Sequence, residues 1–117
     1  MKILTSLLAF GLLASPALAA TQTFKDVSVL DVACSTKEAA NADAHTRDCA
    51  LTCEKSGFGI VTADQKFLKF DANGNAKILV QMKSSTKADH LRVNVTGDVQ
   101  GDTLKVSSVK LMQVWSA

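Results

Sequence analysis

The chain has 117 residues, of which 47% are hydrophobic and 21% are charged, a composition typical of one small globular domain. Its 13 basic and 11 acidic residues give a formal net charge of +2. Phosphate binding requires basic residues in excess on one face, so this near-balance predicts no nucleic-acid partner.

The first residues carry the pattern of a secretory signal. Lys2 is followed by the apolar run Ile3–Leu13, and Ala17–Ala19 matches the small-x-small cleavage pattern. The apolar run is too short to cross a bilayer core of about 30 Å, which predicts no membrane span. We therefore expect a signal peptide at residues 1–19 and a single domain at residues 20–117, exported to a bacterial periplasm or beyond.

The first predicted strand lies in FKDVSVLDVAC, residues 24–34. Apolar side chains alternate at Val27 and Val29 and then change phase to Leu30 and Val32. A shift of one residue moves side chains to the other face of a sheet, and a β-bulge is its usual cause. The pattern therefore predicts a bulge in the middle of this strand.

A helical insertion is predicted after the first strand. Ser35–Glu38 matches a capping box, and an alanine-rich sequence continues to a stop at Gly57. Asn41 and Asp43 divide this stretch, with Asp43 as the predicted cap of the second piece.

The remaining segments alternate between strands and one short helix. They are strands at Gly59–Ala63 and Lys66–Phe70, a helix at Ala76–Lys83, and strands at His90–Val99 and Thr103–Met112. Asn73 or Asn75 is the predicted helix cap. The turn Gln100–Asp102 predicts a hairpin of the last two strands, and the apolar pattern slips at Ser107–Ser108, which predicts a bulge there.

This order of elements predicts a mainly β, α+β fold. A five-stranded OB-like Greek-key barrel has the same layout, with a helical insertion after strand 1 and a short helix between strands 3 and 4. The alternative is an open antiparallel sheet with both helices packed on one face.

Three cysteines lie in the first half of the chain: Cys34, Cys49 and Cys53. Export to an oxidising compartment favours disulfides, but an odd number leaves one thiol free or paired with another molecule. Helical neighbours at i and i+4 have Cβ atoms about 5–6 Å apart, whereas a disulfide requires about 3.5–4.5 Å. We therefore expect Cys34 to pair with Cys49 or with Cys53.

The same cysteines and one histidine are candidate metal ligands. His45, Cys49 and Cys53 stand at i, i+4 and i+8, on one face of a continuous helix. His45 and Cys53 would be about 12 Å apart, so one ion can reach only two neighbouring members of this row together with Cys34. Thiolate and imidazole ligands suit Cu(I) or Zn(II).

Three stretches resemble a group of small exported bacterial domains of unknown function. They are DVAC, CALTCEKSGFGIV and HLRVNVTGDVQGDTLKVSSVKL. The group has D-x-x-C, then C-x3-C followed by Gly, and an OB-like terminal hairpin, and the resemblance covers about Val27 to Met112. This chain has Ser35 where the group has Gly directly after the first cysteine. The resemblance implies an OB-like fold and export, and no activity.

No motif indicates an enzyme. No nucleotide-binding glycine loop and no nucleophile–base–acid set is present, and Asp71–Met82 lacks the glycine and the glutamate that a calcium loop requires. The sequence predicts a non-enzymatic, disulfide-stapled module for interaction or ligand binding, with an envelope protein or a glycan as partner. The alternative is a soft-metal protein using Cys34, His45, Cys49 and Cys53. The odd cysteine could also form an intermolecular disulfide.

Overall fold

The computed structural model describes residues 20–112. The predicted signal peptide, residues 1–19, and residues 113–117 lie outside the described part of the chain.

Five strands close into a barrel in the order β1-β2-β3-β5-β4. They are β1 (Thr21–Asp31), β2 (Phe58–Val61), β3 (Phe67–Phe70), β4 (Arg92–Gln100) and β5 (Thr103–Leu111). All neighbouring pairs are antiparallel except β3 and β5, which pair in parallel. The predicted five-stranded barrel is confirmed, and the alternative of an open sheet is wrong. Closure is possible because β1 is long enough to pair with both β2 and β4.

The bulge predicted in the first strand is present, but it does not lie at the phase change between Val29 and Leu30. A register shift does occur, but it lies earlier, between Phe24 and Val27. Asp26 adopts φ 53° within this shift. The later part of β1 continues without interruption to Asp31.

Beyond the shift, both faces of β1 are buried. Val29 packs in the barrel core, whereas Leu30 packs on the opposite face against Ala42 of the insertion and Val61 of β2. The insertion thus covers the outer face of β1. Consecutive apolar residues here reflect burial on both sides and not a change of register.

The predicted hairpin and its bulge are confirmed. Residue Ser108 of β5 pairs with Thr96, and Val106 pairs with Gly97, so that Ser107 is the extra residue. The bulge allows four apolar side chains of β5 to face the core: Leu104, Val106, Val109 and Leu111. Gly101, at φ 64°, forms the turn between the strands.

The insertion between β1 and β2 consists of short helical pieces. Its α-helices are α1 (Ser35–Glu38) and α2 (Arg47–Thr52), and its 3₁₀ segments are Val32–Cys34, Ala39–Ala44 and Glu54–Ser56. The predicted capping box is wrong, because the Ser35 hydroxyl donates to the Val32 carbonyl. Asp43 is not a cap either; Thr46 caps α2 by accepting the Cys49 N–H.

One longer helix, α3 (Ala72–Ser84), lies between β3 and β4 in the chain. Its cap is Asp71, whose carboxylate accepts the N–H groups of Gly74 and of Val106 in β5. The predicted caps Asn73 and Asn75 are wrong, since their amides bind backbone groups of β5 and β2 instead. The apolar side of α3 closes the barrel core, as its helical spacing indicated.

Candidate thiol site at the base of the insertion

Asp31 is the centre of the site. It is the last residue of β1 and is fully buried. One carboxylate oxygen accepts the backbone N–H of Cys34 at 3.1 Å, which caps the 3₁₀ turn that follows β1. The other oxygen lies 2.7 Å from His45 Nε2. This turn folds the chain back, so that Cys34 lies beside the carboxylate.

Cys53 reaches the same place from the other end of the insertion. It is the C-cap residue of α2, where the helix ends. A carboxylate oxygen of Asp31, Cys34 Sγ and Cys53 Sγ all lie within 4.8 Å of one another. The two ends of the insertion therefore meet at one pair of thiols, both partly exposed.

The surroundings of Cys34 favour the neutral thiol. Burial raises the pKa of Cys34, and the adjacent Asp31 carboxylate raises it further, because both disfavour a thiolate. Nearby Cys53 acts in the same direction, and Lys37 opposes them. This direction is opposite to the lowered pKa of activated cysteine nucleophiles.

The structure separates the four cysteine and histidine candidates. His45 lies before α2 and is buried against Asp31, so it does not share a helix face with Cys49 and Cys53. Cys49 is exposed on α2 and does not belong to the cluster formed by Asp31, Cys34 and Cys53. The structure thus brings Cys34 and Cys53 together, adds Asp31, and connects His45 to them only through that carboxylate.

Asp31 was not among the predicted site residues. A signal for it exists in the spacing D-x-x-C, because an aspartate three residues before a backbone N–H is a common cap. The cap alone explains why Cys34 follows a turn. Its proximity to Cys53 depends on how the insertion returns to β2, which no local pattern encodes.

The insertion contributes little apolar surface to the molecule. Of its side chains, only Ala50 is buried in the main core, with Leu51 packed at its edge, while Ala42 joins the smaller cluster on β1. Polar contacts fix much of the insertion outside these buried positions. The Arg47 guanidinium donates to carbonyl groups at the end of α3, including that of Ser85.

A polar cleft of about 370 Å³ separates the insertion from the barrel. Arg92 lines the cleft and donates to Asp26 at 2.6 Å and to Asp43 at 2.8 Å, and also to the Ser28 hydroxyl. Partial burial opposes ionisation, yet hydrogen bonds from Arg92 and Ser28 lower the pKa of Asp43. Likewise, Asp26 and Asp43 raise the pKa of Arg92 against the effect of its partial burial. This charge network joins the insertion to β1 and β4.

Comparison with protein families, with curated proteins and with solved structures finds no match. Within residues 20–112, none of the helices is both long enough and apolar enough to cross a membrane.

Proposed function

We propose that this chain is an exported, non-enzymatic binding module. In this proposal an OB-like barrel presents the polar cleft, and a disulfide between Cys34 and Cys53 fixes the insertion that forms one wall of the cleft. The observation that carries the proposal is the convergence of these two thiols at the two ends of the insertion.

The position of the two thiols and the export expected from the sequence support the disulfide. An exported protein meets an oxidising environment, and the two sulfur atoms, which lie within 4.8 Å of each other, must approach to about 2.05 Å to bond. The bond closes a loop of 19 residues, worth roughly 3 kcal/mol of stability on the chain-entropy model. Because the insertion buries few apolar side chains, this constraint is a large part of what holds it. Cys49 remains as the odd, exposed thiol.

The strand order supports the OB-like assignment. The barrel order β1-β2-β3-β5-β4, with a helix between β3 and β4, is the layout expected for that fold. OB folds commonly bind ligands with the loop between strands 1 and 2, and in this chain that loop is the insertion. The cleft lies between the insertion and the turn that joins β2 to β3.

The chemistry of the cleft favours a polar partner. Its described lining includes Lys25, Asp26, Asp43, Gln65 and Arg92, and none of the described lining residues is aromatic. Small-molecule sites are mostly apolar with aromatic walls, whereas polar rims of mixed charge are typical of protein interfaces. We therefore favour a protein of the cell envelope over a glycan as the partner.

Cross-linking of the exported protein in its own cells tests the proposal. Ala63 is exposed at the cleft, so Ala63→Arg should fill the cleft and reduce recovery of the cross-linked partner at least about tenfold, equivalent to 1.4 kcal/mol. Ala72→Arg makes the same substitution at an exposed alanine outside the cleft lining; it is the matched control and should leave recovery unchanged. Equal recovery from all three proteins, or no envelope partner for the wild type, would contradict the proposal.

A further inference from the structure

We infer that the reduced protein holds one Zn²⁺ through Asp31, Cys34 and Cys53. This inference goes beyond the proposed binding role and concerns the same two thiols in their reduced state. It also differs from the sequence-based ligand set, since Asp31 replaces both His45 and Cys49 as a direct ligand.

The three ligand atoms are already arranged around one point. Tetrahedral zinc with Zn–S bonds near 2.3 Å places neighbouring sulfur atoms about 3.8 Å apart. The carboxylate oxygen and both sulfur atoms lie within 4.8 Å of one another, so contraction by about 1 Å would complete the geometry. Both cysteines are partly exposed, which leaves a path for the ion and a fourth position for water.

The carboxylate keeps the capacity to bind a metal. Each oxygen of Asp31 takes part in one hydrogen bond, with Cys34 N–H or with His45, and each has a second lone pair. The bond to His45 fixes the carboxylate, as partners of ligating groups do in known metal sites. His45 is thus a positioning residue for Asp31 and not a ligand.

The ligand types and charges favour Zn²⁺ over Cu(I). Zinc accepts carboxylate oxygen beside thiolate sulfur, whereas Cu(I) prefers soft ligands alone. Two thiolates beside the Asp31 carboxylate would bring three negative charges together, and a divalent ion offsets more of this charge than a monovalent ion does.

Zinc titration of the reduced, metal-free protein against a competing chromophoric chelator tests the inference. We expect one equivalent of Zn²⁺ per chain, loss of uptake in Cys34→Ser and in Cys53→Ser, and weakening in Asp31→Asn. His45→Gln should weaken binding about 10- to 100-fold. The matched control is Cys49→Ser, an exposed cysteine one helical turn from Cys53, which should bind as the wild type does. Circular dichroism of each variant establishes that it is folded.

Substitution of Co²⁺ for Zn²⁺ provides a second readout. Two thiolate ligands should give a sulfur-to-cobalt charge-transfer band that falls in folded Cys34→Ser and persists in Cys49→Ser. The inference is overturned by absence of uptake, by equal losses in Cys49→Ser and Cys53→Ser, or by tighter Cu(I) binding that is indifferent to Asp31→Asn. Failure here leaves the proposed function standing, because the latter depends on the oxidised pair and on the cleft.

Discussion

Among single residues, Asp31 at the end of β1 makes two hydrogen bonds to the insertion from a buried position. Its carboxylate is fully buried and connects the end of β1 to the turn at Cys34 and to His45. We expect Asp31→Ala to lower the free energy of unfolding by about 3 kcal/mol, because it leaves a buried imidazole and a turn N–H unpaired. Urea unfolding measures this. The control Asp48→Ala removes an exposed carboxylate of the same insertion and should change stability by less than about 0.5 kcal/mol. Equal effects of the two substitutions would contradict this role.

Asp43 gives the molecule a pH dependence of defined sign. Its pKa in the folded protein lies below its ordinary value of about 3.9, so its ionised form stabilises the fold. This stabilisation is fully present when the pH is above the ordinary pKa, and it is lost as the pH falls through the lowered pKa of the folded protein. Asp43→Asn should therefore be less stable than the wild type at pH 7, by at most about 1 kcal/mol for this partly exposed pair, and the difference should shrink below pH 4 or so. Urea unfolding at a series of pH values measures this difference in stability, with Asp48→Asn as the control. A difference between Asp43→Asn and the wild type that grows in acid would contradict the prediction.

Sequence patterns identify some of these residues correctly and assign a wrong role to others. Residue type and the export expected from the sequence are enough to identify Cys34 and Cys53 as candidates, and both lie at the site. Asp43 was assigned to a helix cap because an aspartate before a helical segment is commonly one. Its actual partner, Arg92, is 49 residues away, and a contact of that kind depends on barrel closure and not on local pattern.

At the scale of elements, close approach of strands β4 and β5 makes Gly97 sensitive to substitution. An added Cβ would lie 2.4 Å from the Lys105 carbonyl oxygen, a backbone atom that cannot move without disturbing the sheet. Gly97→Ala should lower the unfolding free energy by about 2 kcal/mol. Gly101→Asn is the matched control, because that turn residue has φ 64° and open space around it, and asparagine tolerates this conformation. Thermal unfolding that shows the same stability for both variants would contradict the expected clash.

The strands were more predictable than the insertion for a physical reason. Alternation of apolar residues identified the hairpin and its bulge at Ser107, since burial on one face leaves a period of two in the sequence. In β1 that period is masked, because Leu30 is covered by the insertion on the outer face. Within the insertion, α2 covers only Arg47–Thr52, so His45 lies before the helix, Cys53 lies at its end, and the helical spacing expected for His45, Cys49 and Cys53 does not apply.

For the molecule as a whole, the main apolar core lies in the barrel, and the insertion adds few apolar side chains to it, so the proposed disulfide between Cys34 and Cys53 should stabilise the fold. Oxidised protein should therefore be more stable than reduced protein by roughly 3 kcal/mol in urea. Cys49→Ser should retain this difference, and Cys53→Ser should abolish it. Retention of the full difference in Cys53→Ser would show that the stabilising bond is formed elsewhere.

Peptide mapping of the protein, taken from its native compartment under conditions that trap free thiols, tests the proposed pairing of Cys34 with Cys53. We expect a linked peptide pair containing Cys34 and Cys53, with Cys49 as the one alkylated cysteine of each chain or as the cysteine joined to another molecule. A linkage of Cys34 to Cys49, or three alkylated thiols, would contradict it.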